Sequence, residues 1–200
     1  MSKRISIIIA SAVLVGNLAI PGTSPAITRK SVVDRGARWI AAETPYSQSR
    51  YATVAGSLVP TSASSPSTKG YRTDCSGFVS MCLDLRTGQD KPKSYNTATL
   101  DDILVPIAKE DLRPGDVILR PKDLKIDGKT VPYGHAVLFV DWADDEHTSY
   151  IGYHESSSQR GAVRDVIEWG ASGFWTAKGF SAYRCPTVRE RVRVKPAEDK

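Results

Sequence analysis

The chain reads as an α+β domain in which N-terminal helices pack on a central antiparallel β-sheet. Three observations lead there. Apolar residues recur at helical spacing in two stretches before residue 86, each behind a polar residue able to cap a helix. From Asp111 the pattern changes to short alternating runs bounded by Gly, Pro and Asp. Helices first and strands afterwards favour an antiparallel meander with helices on one face over an alternating parallel sheet.

The chain opens with Lys3 and Arg4, then an apolar run from Ile5 to Ile20, closed by Pro21-Gly22 and Ser24-Pro25-Ala26. That layout predicts a secretory signal peptide over 1–26, cut after Ala26. The run is short for a membrane span, and no other apolar stretch is long enough to make one. Residues 27–200 then suit one domain with its own core, and 191–200 read as a flexible tail. The signal holds two basic residues and no acidic ones, so the formal charge of +5 falls to +3 on its removal. A surplus that small fits adhesion to an anionic envelope. No aromatic-basic alternation or helix-turn-helix pattern accompanies it, so no nucleic-acid partner is expected.

Ser31 is placed to cap a helix over 32–43, with Val33, Ala37, Trp39 and Ile40 as its apolar stripe. Residues 52–70 are too rich in small, polar and proline residues to pack and read as a loop. A second helix starts near Cys75 behind Asp74, carries Phe78, Val79, Cys82, Leu83 and Leu85, and stops before Gly88. Thr99 can cap a short helix reaching Ile103. Leu112-Arg113-Pro114-Gly115-Asp116 is a tight-turn sequence, and Val117-Ile118-Leu119 follows as a strand. Residues 120–133 form a polar excursion compatible with a hairpin. Strands are expected over 135–142 and 149–155, paired through an acidic loop, and again over 161–169 and 180–185.

Cys75 falls where a polar loop becomes an apolar helix. There it meets unpaired backbone N–H groups and the positive end of the helix dipole, both of which favour thiolate over thiol. Only three histidines occur in the chain. His135 begins one strand and His154 lies near the end of the next. If those strands pair, the two imidazoles become cross-strand neighbours. A helix packed on that sheet can present Cys75 to His135, giving nucleophile, base and orienting residue in a row. His147 reads as a loop residue. No close-spaced pair of metal ligands is present, so neither metal nor organic cofactor is expected.

Three cysteines leave at least one thiol unpaired. Cys75 and Cys82 on one helix stand about 10 Å apart along its axis, too far for a disulfide. Pairing of Cys185 with Cys82 is favoured; pairing with Cys75, or three reduced thiols, stays open.

Four pieces together resemble the NlpC/P60 family of cell-wall cysteine peptidases, which are papain-like. They are Asp74-Cys75-Ser76-Gly77-Phe78, Leu112-Arg113-Pro114-Gly115-Asp116-Val117-Ile118, Gly134-His135-Ala136-Val137-Leu138-Phe139, and a polar residue on the following strand. Upstream, Pro45-Tyr46 is similar to the pair the family places before its nucleophile. The resemblance spans roughly residues 30–185. It implies Cys75 as nucleophile, His135 as general base and His154 as the residue orienting that base. It further implies Tyr46 as an oxyanion donor, with Asp74 and Ser76 lining the substrate site and Asp74 anchoring a substrate ammonium. Glu155 competes with His154 for the third role, and strand alternation puts the two on opposite faces, so only one can serve.

The chain departs from the family pattern after Tyr46, at the 52–70 insertion, and in the long excursion from His135 to His154. The implied activity is hydrolysis of amide bonds in peptidoglycan stem peptides by a secreted or wall-associated monomer, between D-γ-glutamyl and a diamino acid. Alternatives are an N-acetylmuramoyl-L-alanine amidase or acyltransferase using the same thiol, and an inactive envelope-binding or effector protein on the same scaffold.

Overall fold

The computed structural model describes residues 27–60, 68–169 and 179–190. The expected signal peptide (1–26), the tail (191–200) and part of the 52–70 loop (61–67) lie outside the described residues. The elements begin with helix α1 (Arg29–Ala41) and strands β1 (Tyr51–Ala52) and β2 (Tyr71–Arg72), then helix α2 (Cys75–Cys82). Short strands β3 (Arg86–Thr87), β4 (Lys91–Pro92) and β5 (Val105–Ile107) follow, then β6 (Val117–Arg120) and the hairpin of β7 (Leu124–Ile126) and β8 (Lys129–Val131). The last strands are β9 (His135–Trp142), β10 (Ser149–Ser156), β11 (Gly161–Glu168) and β12 (Ser181–Arg184).

Six strands make the main sheet in the order β11-β10-β9-β6-β12-β5, every neighbouring pair antiparallel. The architecture is therefore α+β, with two helices and an antiparallel sheet among the described residues. Alternation splits β6 and β9 between two cores. Val117, Leu119, Ala136 and Leu138 face Trp39, Phe78, Val79 and Met81 of the helices. Ile118, Val137 and Phe139 face the other way, toward Tyr150, Ile167 and Phe180.

α2 is buried along its whole length, which explains a helix of continuous small and apolar residues with no polar stripe. Asp74 caps it through Gly77 N–H at 2.8 Å. Gly77 is required by space: any Cβ there would collide with the carbonyl of Arg72 in β2. The helix ends at Cys82, earlier than its apolar run suggested, because Asp84 takes a left-handed turn at φ 51°. α1 also starts earlier than expected. Thr28 caps it, and Ser31 serves at the third helical position, closing a reciprocal capping box.

Other expectations are corrected. Thr99 caps no helix; it hydrogen-bonds Asn96, and only a 3₁₀ turn forms over Asp101–Ile103. Residues 51–60 are not a plain loop, since β1 pairs with β2, Ala52 bridges Leu58, and Val59 N–H donates to Tyr51 at 2.7 Å. The favoured Cys82–Cys185 disulfide is absent, and all three cysteines are free and buried. Cys82 packs in the helix core near Gly36, whereas the Cys185 sulfur lies 3.2 Å from the Thr187 hydroxyl. Each thiol is satisfied within its own neighbourhood. No helix among the described residues is long and apolar enough to cross a membrane.

Candidate active site

The N-terminus of α2 overhangs the end of the sheet where β9 begins. A cleft of about 940 Å³ opens there, lined by Tyr46, Asp74, Cys75, Ser76 and His135, with Lys122 and Tyr133 at its side. That volume lies in the range that holds small peptides and drug-sized ligands. The hairpin β7–β8 leads into this wall, and Tyr133 stands 76% exposed beside it.

Each lining residue is held by a different part of the fold. Pro45 bridges Gly161, Tyr46 N–H donates to Arg160 at 3.0 Å, and Ser47 N–H donates to Thr73 at 2.7 Å. The Tyr46 segment is thus pinned between β11 and the approach to α2. The Tyr46 hydroxyl lies 3.4 Å from Gln48 Nε2, and burial raises its pKa. Asp74 accepts from Gly77 N–H and pairs with Arg72 Nε at 2.6 Å. Arg72 also donates to the Ser76 hydroxyl at 3.1 Å, so one guanidinium braces both residues that flank Cys75.

Cys75 is 8% exposed, and the Ala136 backbone N–H reaches its sulfur. Burial pushes this thiol up to about 11, Asp74 adds to the rise, and the Ala136 and Ser76 amides offset only part of it. Desolvation outweighs the pull of the helix N-terminus toward thiolate here. His135 shifts the opposite way, down to about 3, through burial first and then repulsion from His154 and Arg120. Thiol and imidazole are both neutral at rest.

His135 pairs across the ladder with Arg120, and its ring meets Phe180 edge-on at a centroid distance of 6.4 Å. Its Nε2 is 3.0 Å from Nδ1 of His154. The other nitrogen of His154, Nε2, is 3.0 Å from Oδ2 of Asp165, which also accepts from Gln159 Nε2 at 2.7 Å. Burial lowers His154, and Asp165 pulls it partly back. Glu155 points to the opposite face, fully buried, with neither carboxyl oxygen hydrogen-bonded. Its pKa rises to about 8, from burial first and then from Asp74. Of the two rivals for the third position, His154 is the one hydrogen-bonded to His135.

Asp165 was not singled out from the sequence, although a signal existed. Counting back from the turn after Ser156 sets His154 opposite Val163, and Asp165 is then an acidic residue on the same face as Val163 and Ile167. His147 stacks on Trp142 at 4.4 Å in the acidic loop, far along the sheet from the cleft. Among the described residues, no group of three or more His, Cys, Asp or Glu side chains is arranged to hold a metal.

No family model and no curated protein matches the chain. Among solved structures, one described as similar to lipoprotein, NLP/P60 family, from Staphylococcus aureus matches with a TM-score of 0.40 and 17% identity. The match covers 84% of this chain and 46% of that one, so the chain spans less than half that protein's length.

Proposed function

We propose that this protein is a cysteine peptidase of the NlpC/P60 type that hydrolyses amide bonds of peptidoglycan stem peptides, preferring the bond between D-γ-glutamyl and a diamino acid. Residues 1–26 direct export and are then removed, and 27–200 work as a monomer outside the cytoplasm. One observation carries the reading. The Cys75 sulfur touches the Ala136 amide, one residue from an imidazole whose Nε2 is held by His154, and both residues line a peptide-sized cleft.

Because the resting pair is neutral, the proton leaves sulfur for His135 as the sulfur attacks the substrate carbonyl. A C–S bond forms, and the carbonyl electron pair moves onto oxygen. That oxyanion is met by the Tyr46 hydroxyl and the Cys75 backbone N–H. Collapse breaks the C–N bond, and His135 gives its proton to the departing amine. Water then attacks the thioester, loses a proton to His135 and expels the sulfur, which takes that proton back. Asp74 receives the substrate ammonium through lone pairs beyond those used by Gly77 and Arg72. Arg72 keeps that carboxylate oriented.

The exported protein incubated with muropeptides is expected to release a new amine, which mass spectrometry assigns to one bond. Cys75→Ser should lower release by about 10³-fold or more. Equal release by Cys75→Ser, or no release by the wild type, would overturn the proposal. A muramoyl-L-alanine cut would replace the bond but keep the thiol.

A further inference from the structure

We propose that Asp165 is a positioning residue that fixes the order of protons along His154 and His135 and so keeps the basic lone pair on His135 Nδ1. This deepens the hydrolase reading and rests on it. A carboxylate only accepts, so the 3.0 Å contact to Asp165 requires a proton on Nε2 of His154. A neutral imidazole with its proton on Nε2 has a bare Nδ1, which must accept. The partner 3.0 Å away, His135 Nε2, therefore carries the donated proton. His135 is then left with its lone pair on Nδ1, the nitrogen that His154 does not hold and that takes the Cys75 proton in the proposed reaction. Reverse any member and that nitrogen is a donor, useless as a base.

Around the pair stand Arg120 from β6, Asp165 from β11 and Gln159 from the turn between β10 and β11. Phe180 covers His135 at a ring separation of 6.4 Å. Among these described groups only Asp165 supplies an acceptor that never donates. Gln159 Nε2 donates to the same oxygen and steadies it. The proton order fails at low pH without protonation of His135. Once His154 gains a proton it donates through both nitrogens, and His135 must carry its own proton on Nδ1. Burial lowers His154 and Asp165 opposes that, so loss of Asp165 moves this failure to lower pH.

The test uses full-length protein with ¹⁵N-labelled histidine, read by NMR at neutral pH alongside the pH dependence of Cys75 alkylation and of muropeptide cleavage. Wild type is expected to show protonated Nε2 and bare Nδ1 at both His135 and His154. Asp165→Ala should give mixed tautomers, lower kcat by about 10²-fold with KM little changed, and move the acid limb of the rate to lower pH. Asp165→Glu should restore most of the tautomer order. Unchanged tautomers and acid limb in Asp165→Ala, or a protonated Nδ1 on His154 in the wild type, would overturn the assignment. If wild type cleaves no peptide, the hydrolase reading falls, while the tautomers still decide the role of Asp165.

Discussion

Two buried polar centres on one sheet, Asp116 and the Cys75–His135 cleft, handle burial in opposite ways. Asp116 is 1% exposed, yet it accepts from Arg29 at 2.9 Å, Arg184 at 2.7 Å and the Arg113 backbone N–H at 2.9 Å. Its charge is answered from three elements, and in return it ties the start of α1 and β12 to the turn before β6. In the cleft Cys75 is buried and His135 half-buried, and for both desolvation outweighs the charges nearby, so sulfur and imidazole stay neutral. One centre spends complementary charge on holding the fold. The other withholds it, which leaves a neutral thiol and a neutral imidazole lining one cleft.

That division predicts separable losses. His135→Ala should lower turnover by about 10³-fold or more while thermal melting barely moves. Asp116→Ala removes the carboxylate shared by Arg29, which keeps Glu190, and Arg184, and should destabilise by about 3 kcal/mol, a melting shift on the order of 10 °C. If Asp116→Ala kept its melting temperature and lost only turnover, the contrast would collapse. A gentler probe is iodoacetamide. With the thiol held up to about 11, Cys75 alkylation should climb roughly tenfold per pH unit from pH 6 to 10, without a plateau near neutrality. A plateau near pH 7 would mean a standing thiolate–imidazolium pair.

How much of this was legible in the chain follows the same divide. Short-range chemistry could be read. Asp74 as a cap, the turn ending in Asp116 and the strand from His135 all depend on neighbours within a few residues. Alternation separates His154 from Glu155, but which of them shares the face of His135 is decided by the register break between Ile151 and Gly152, which the hairpin pattern does not show. The rest required distances that periodicity does not encode. The Cys82–Cys185 pairing failed because cysteine counting is blind to which thiols the core brings together. The raised pKa of Cys75 was not legible, because a helix N-terminus is visible in sequence but the depth of burial above it is not. Arg72 bracing both Asp74 and Ser76, and Asp165 behind His154, depend on β2 and β11 arriving from elsewhere.

Glu155 lies between the two regimes and gives the smallest but most pointed test. It is as buried as Asp116, yet neither oxygen has a hydrogen-bond partner. Its pKa rises from 4.5 to about 8, so the folded protein holds a proton that the unfolded chain releases. Below pH 4.5 both states are protonated, and the residue costs least. Between pH 4.5 and 8 unfolding sheds a proton, so stability falls as pH rises; above pH 8 both states are ionised and the loss levels off. Glu155→Gln keeps the shape and removes the titration. Its melting temperature relative to wild type should therefore increase from pH 5 to pH 8, by about 1–3 kcal/mol of stability at the upper end. An offset that stays the same at both pH values would mean that Glu155 is compensated after all.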